Sequence, residues 1–294
     1  MEPVGFVGLG LMGSRMAGRL IETGVPLIVY NRTEEKAEPF AALGARVART
    51  PREVAEGAAV TITMLLDSAA VRAIFKGGEA GQGLLDGCRH GHTHIDMSTV
   101  GPVASRELAL LAGLSGVRFL DVPVLGSISP AARGELILFV GGEGSDLERC
   151  RDLLSRLGRT IIHAGGVGQG NALKVVANMM LARMVEALGE ALVLGLRQGL
   201  APEAIHQMLQ AGALASPMWD RTAMLIAGDP PVHFPLGHMC KDLRLVSDRA
   251  RDLAVKLPVH EAVQSLFEEA ARQQPAACDY SWLVRWLLER SDVP

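Results

Sequence analysis

Val4-Gly5-Phe6-Val7-Gly8-Leu9-Gly10-Leu11-Met12-Gly13 decides the fold. Four residues with strand character run into three glycines spaced Gly-x-Gly-x-x-Gly, a helical pattern then runs from Ser14 to about Glu22, and a second apolar strand follows at Leu27-Ile28-Val29-Tyr30. This is a βαβ unit. In such a turn Gly8 permits the tight reversal, Gly10 lets the backbone approach a pyrophosphate, and Gly13 allows close packing of helix on strand. The helix start adds unpaired N–H groups and a positive dipole end, to which Leu11 and Met12 contribute backbone. The stretch therefore reads as a dinucleotide-binding turn.

The same alternation continues outward. Val60-Thr61-Ile62-Thr63-Met64-Leu65, Thr93-His94-Ile95-Asp96, Arg118-Phe119-Leu120-Asp121 and Leu136-Ile137-Leu138-Phe139-Val140 are short strand-like runs with helical patterns between them. Repeated units of this kind predict an α/β fold with a Rossmann-type, doubly wound parallel sheet. Beyond about Gly165 strand signals stop and helical periodicity takes over. The expected organisation is a cofactor-binding domain over 1–163 and an all-α substrate and oligomerisation domain over 164–294, with the glycine-rich Ala164 to Gly170 as the seam. A length of 294 residues suits two cores better than one.

Composition narrows the partners. A net charge of -3 gives no broad basic field for nucleic acid and no polybasic surface for lipid, so a small molecule is the expected partner. The most apolar long stretch, Ala172 to Leu196, carries Lys174, Arg183, Glu186 and Glu190 and fails as a membrane span. The four cysteines are widely separated and the start lacks a signal-peptide pattern, which together lead to a cytoplasmic expectation.

The end of the second strand speaks to cofactor type. An NAD site usually places Asp or Glu there for the ribose 2′-hydroxyl, whereas this chain has Asn31-Arg32-Thr33. Arg32 can pair with a 2′-phosphate, and Asn31 and Thr33 can hydrogen-bond to it, so NADP is preferred over NAD. A second reading, compatible with the first, makes Thr33 the N-cap of a helix beginning at Glu34-Glu35.

Further segments at matching spacing resemble the β-hydroxyacid dehydrogenase family, which includes 3-hydroxyisobutyrate dehydrogenases and glyoxylate/succinic semialdehyde reductases. Gly5 to Gly13, with Met12 before the third glycine, is similar to the family's cofactor signature. Leu65-Leu66-Asp67 aligns with a stretch that usually reads Leu-Pro and touches the cofactor through backbone. Asp96-Met97-Ser98-Thr99 resembles the segment that sets its Thr beside the nicotinamide, with Ser98 toward the substrate. Asp121-Val122-Pro123-Val124-Leu125-Gly126-Ser127 resembles the substrate loop, in which Leu125 replaces a Ser that holds a carboxylate. Loss of that hydrogen bond weakens carboxylate binding by about 1.5–3 kcal/mol and points toward a less polar substrate, while Ser127 and the Gly126 amide remain. Ser127 and Pro130-Ala131 lean to the glyoxylate/succinic semialdehyde reductase branch.

Gly165 to Asn178 resembles the family's catalytic segment, where Lys174 is the general acid and Asn178, four residues on and so on the same helix face, assists it. Phe234 to Leu245 resembles a helix in which Lys241 reaches the cofactor while Phe234 and Asp242 border the substrate. The resemblance implies an NADP-dependent oxidoreductase that interconverts a small aldehyde acid and its hydroxy acid, as a homodimer or homotetramer. Two alternatives stay open: an imine reductase-like enzyme and a non-catalytic NADP-binding sensor, both of which usually lack the Lys. The histidines of Arg89-His90-Gly91-His92-Thr93-His94 are not read as a metal site, since no carboxylate or Cys completes a ligand set at typical spacing.

Overall fold

A computed structural model describes residues 2–77, 81–216, 218–219, 231–274 and 277–291. It divides into two compact units, Met1–Lys174 and Val175–Pro294. The division falls inside a helix, eleven residues beyond the expected 163/164 boundary (174 − 163 = 11), and that boundary itself lies within the last strand.

The first unit is built on one sheet. Its strands are β1 (Val4–Val7), β2 (Leu27–Tyr30), β3 (Arg46–Val47), β4 (Val60–Thr63), β5 (Thr93–Asp96), β6 (Arg118–Asp121), β7 (Val124–Leu125), β8 (Leu136–Gly141) and β9 (Gly158–Gly165). They lie in the order β3-β2-β1-β4-β5-β6-β8-β7, with β9 also on β8. Strands β3 to β6 in that order are parallel, but β8 runs antiparallel to both β6 and β7, so the sheet is mixed at one end. The helices of this unit are α1 (Leu11–Glu22), α2 (Glu38–Ala42), α3 (Pro51–Glu56), α4 (Ser68–Lys76), α5 (Leu84–Gly87), α6 (Pro102–Leu114), α7 (Ile128–Arg133) and α8 (Gly144–Ser155).

Strand periodicity explains why helices cover both faces. Val4 and Phe6 of β1 join Leu27 and Val29 of β2 in one core, while Val7 and Ile28 point into another. Alternate residues of a strand face opposite sides, so two buried faces demand apolar residues at nearly every position. Helix α1 answers the first face with Gly13, Met16, Ala17 and Leu20, a spacing of three and four that makes one buried stripe. Strand order reverses direction between β1 and β4, and the glycine turn sits at the end of β1, at this switch point.

Helix α9 (Gln169–Arg197) starts in the first unit and continues into the second, which also contains α10 (Pro202–Leu209), α11 (Leu236–Asp252), α12 (Pro258–Gln273) and α13 (Trp282–Arg290). The core of the second unit gathers Ala182, Val185, Leu188 and Leu192 of α9 with Met239, Leu243, Phe267, Leu283 and Trp286. The terminal tryptophan helix is thus a packing element, with Trp286 Nε1 donating to Gln273 Oε1 at 2.8 Å. Among the described residues, no helix is long and apolar enough to cross a membrane.

Candidate functional site

Each glycine of the turn has its own local reason. Gly8 has φ +100°, and a Cβ there would lie 2.4 Å from the Met64 carbonyl oxygen. At Gly13 a Cβ would stand 1.9 Å from the Gly8 carbonyl oxygen, so any side chain would push α1 off the strand. Around Gly10 the same construction meets nothing within 4 Å. The turn therefore leaves open space in front of its middle glycine. Helix α1 has no side-chain cap and no acid in its first turn, so nothing negative opposes a phosphate there. Leu11 is half exposed, and Met12 packs partly against the core below.

Asn31 holds this turn in place. Its Oδ1 accepts from the Leu9 N–H at 2.9 Å and its Nδ2 donates to the Thr33 carbonyl at 2.8 Å. The carboxamide thus ties the end of β2 to the glycine turn, a role beyond the phosphate contact expected from sequence. Arg32 is exposed and makes no ion pair among the described residues, which leaves its guanidinium available to a phosphate. Thr33 precedes a short 3-10 turn at Glu34–Lys36, but its side chain makes no capping bond.

The ends of β4 and β5 complete this region. Leu65 places Cδ2 against Gly8, where a Cβ would meet it at 2.8 Å, and donates its N–H to Ser98 Oγ at 2.9 Å. Ser98 is fully buried, so its hydroxyl positions the Leu65 segment from beneath. Leu66 is half exposed, and Asp67 caps α4 by accepting from the Ala70 N–H at 2.8 Å. Thr99 is half-buried beside them in sequence.

Asp121 and Asn171, neither singled out as a site residue from the sequence, hold the start of the helix that carries Lys174. The two Asp121 oxygens accept from the Gly168 and Asn171 N–H groups, each at 2.7 Å, and Asn171 Oδ1 accepts from both Val100 and Gly101 N–H at 2.9 Å. Burial raises the Asp121 carboxyl above its ordinary range, and the two amides pull in the opposite direction. Five residues after Gln169, on the same helix, comes Lys174, which is 9% exposed. Leu125 is half-buried on β7, Gly126 is exposed with φ +137°, and Ser127 stands at the start of α7 without a capping bond.

In the second unit Asn178, fully buried on α9, donates Nδ2 to Asp242 Oδ2 at 2.6 Å. Asp242 is 3% exposed, and its other oxygen lies 2.7 Å from Lys241 Nζ. The structure thus joins Asn178, Lys241 and Asp242 into one cluster, two charges and an amide whose Oδ1 has no hydrogen-bond partner among the described residues. Phe234 packs edge-on to His238 at 6.2 Å and against Tyr280 at 5.5 Å. Among the described residues no three His, Cys, Asp or Glu side chains form a group able to hold a metal ion.

Residues 3–166 match the family model for the NAD binding domain of 6-phosphogluconate dehydrogenase. Residues 168–287 match the model for the NAD-binding region of NADP-dependent 3-hydroxyisobutyrate dehydrogenase. The chain is 34% identical to glyoxylate/succinic semialdehyde reductase 1 of Arabidopsis thaliana, covering 96% of each. It is 32% identical to the mitochondrial 3-hydroxyisobutyrate dehydrogenase of Rattus norvegicus, covering 98% of this chain and 87% of the other. Among solved structures, the Mycobacterium tuberculosis 3-hydroxyisobutyrate dehydrogenase with L-serine superimposes with a TM-score of 0.87 at 30% identity, over 98% of this chain and 99% of that one.

Proposed function

Since the chain belongs to the β-hydroxyacid dehydrogenase family, whose members use NAD or NADP, we propose that it is an NADP-dependent reductase of a small aldehyde acid, with Lys174 as its general acid. The observation that carries this reading is Lys174 itself, a 9% exposed ammonium on a helix whose start is fixed by Asp121. It stands at the position that resembles the family's general acid, on the same helix face as Asn178.

When bound, a reduced nicotinamide supplies the hydride to the carbonyl carbon. Lys174 Nζ releases a proton to the carbonyl oxygen as negative charge develops there, giving the hydroxyl of the product; in the oxidative direction the amine takes that proton back. Asn178 lies one helical turn further along the same face, and its Oδ1 remains an acceptor because Nδ2 is engaged by Asp242. Thr99 and Ser127, both in the first unit, orient the substrate. The open space at Gly10 accommodates the pyrophosphate, and Arg32 selects the 2′-phosphate. Leu125, where family members carry Ser, withdraws one hydroxyl from the acid-binding loop, which supports a substrate with a longer or less polar body than glyoxylate, such as a semialdehyde acid. In the same reading residues 1–163 hold the cofactor, residues 164–294 serve the substrate and self-association as a homodimer or homotetramer, and the enzyme works in the cytoplasm.

Lys174→Ala tests the assignment. Its kcat with glyoxylate and succinic semialdehyde should fall by a factor of about 10² to 10⁴, the usual worth of a general acid, while NADPH still quenches or enhances fluorescence on binding with near-normal affinity. Full turnover in this variant would remove Lys174 from the mechanism.

A further inference from the structure

Beneath the dinucleotide site runs a continuous buried hydrogen-bond chain. His92 Nε2 lies 2.9 Å from Thr61 Oγ1, which lies 2.9 Å from His94 Nδ1; His94 Nε2 lies 3.0 Å from Thr63 Oγ1, which donates to Asp96 Oδ1 at 2.8 Å. The β4–β5 register sets it up, because Thr61 pairs with His94 and Thr63 with Asp96, so these side chains share one face of adjacent strands. Thr61, Thr63, His94 and Asp96 are fully buried and His92 nearly so. At its outer end, His92 lines a cavity of about 460 Å³ with Glu2, Glu56, Arg89 and His90. At its inner end Asp96 Oδ1 also accepts the Ser98 N–H at 3.2 Å, and Ser98 Oγ takes the Leu65 N–H beside Gly8.

Hydrogen arithmetic orients the chain. Thr63 has a single hydroxyl hydrogen and gives it to Asp96, so its oxygen must accept from His94, which fixes the Nε2–H tautomer there. His94 Nδ1 is then an acceptor and takes the Thr61 hydrogen, and Thr61 in turn accepts from His92 Nε2–H. Burial pushes His94 down to about 3 and His92 down to about 4, so both rings are neutral at physiological pH. Every donor therefore points toward Asp96.

We propose that Asp96 is a positioning residue for the dinucleotide site, oriented by the Thr61–His94–Thr63 chain and acting through Ser98 on the Leu65 amide. The proposal rests on the cofactor reading above but not on Lys174 or on the identity of the substrate. With its proton lost, Asp96 is a strong acceptor for Thr63 and Ser98; with the proton retained, it holds the Ser98 segment more weakly. Burial pushes its carboxyl up to about 6, hydrogen bonds from Ser98 and Thr63 act against that rise, and Asp121 on β6 adds to it. Of the other elements packed here, β4 carries no charge, β5 carries only the neutral His94, β6 also carries Arg118, and Arg106 of α6 lies against Gly168. The site should thus tighten as pH rises through about 6.

The test is NADPH affinity from pH 5 to 8 in the full chain, measured by fluorescence for the native protein, Asp96→Asn, Thr63→Val and Thr63→Ser. The native Kd should fall across an inflection near pH 6, and Thr63→Val should move that inflection about one unit higher, as expected for a lost charge-assisted hydrogen bond. Thr63→Ser, which keeps the hydroxyl, should restore it. In Asp96→Asn the inflection should vanish; one that persists belongs to the titrating 2′-phosphate and overturns the proposal. Unfolding midpoints identify variants that merely fail to fold, and then the Val-to-Ser comparison decides. Tight binding with a flat native profile would sink this inference alone, whereas no binding at any pH would sink the cofactor reading with it.

Discussion

Two helices that begin in the first unit treat their N-termini in opposite ways. Helix α1 starts at Gly10 with no side-chain cap, no acid in its first turn and open space where a Cβ would project. Helix α9 starts under a carboxylate: Asp121, buried and 47 and 50 residues away in sequence, takes the Gly168 and Asn171 amides. Both starts present N–H groups and a positive dipole end. One is left for an anion from outside, and the other is closed by an anion from the protein. The difference fits the proposed roles of the two helices, in which α1 meets a ligand through its backbone and α9 acts through a side chain, Lys174, on a fixed platform.

The sharpest way to break the contrast is at the glycines of α1. Gly13→Ala should remove NADPH binding and destabilise the unit by about 3 kcal/mol, because the Gly8 carbonyl occupies the space its methyl needs. Gly10→Ala should lower affinity by about a hundredfold, or about 2.7 kcal/mol, while leaving the unfolding free energy within about 0.5 kcal/mol, since the protein itself puts nothing there. Denaturant unfolding beside fluorescence titration separates the two. Equal behaviour of both variants would mean that the space before Gly10 is not the pyrophosphate site.

At the other helix start, Asp121→Asn turns one of two acceptors into a donor facing a backbone N–H. We expect a stability loss of about 1–3 kcal/mol and a drop in kcat larger than the change in NADPH affinity, because the disturbed element carries Lys174 and not the glycine turn. Unchanged kcat with lowered stability would reduce Asp121 to a fold residue. The measurement also asks whether Asn171, which joins α9 to the Val100 and Gly101 amides, relays that disturbance toward Thr99.

The contrast also explains what the sequence made legible. The glycine turn is local: its strand, spacing and helix lie within twenty residues, and β1, β2, β5 and β6 fall where the apolar runs put them. Strands β3 and β7, two residues each, are too short to carry a period. Strand β9 was hidden by Arg159, Thr160 and His163, polar and exposed positions on a strand that pairs with β8. The Asp121 and Asn171 bonds span 47 to 71 residues, a range over which sequence gives no register. The chain through His92, His94, Thr61 and Thr63 was not legible for a different reason. Polar residues alternating along a strand resemble a solvent face, and here they satisfy one another inside the sheet.

The smallest effect concerns Asn31, which holds the turn that precedes α1. Its carboxamide accepts from Leu9 and donates to Thr33, so Asn31→Ala removes one side-chain partner from the glycine turn and one from the carbonyl that precedes the 3-10 turn. Each bond is part-buried or exposed, and water can replace some of what is lost, which limits the cost to about 1 kcal/mol, or about fivefold in affinity. That loss should fall equally on NADH and NADPH, since in the proposed reading the turn faces the pyrophosphate common to both. Arg32 is the group that could tell the two apart. Titrations of the variant with both cofactors decide the matter: a loss confined to NADPH would move Asn31 from holding the turn to reading the 2′-phosphate, and the open helix start would then owe its shape to glycine alone.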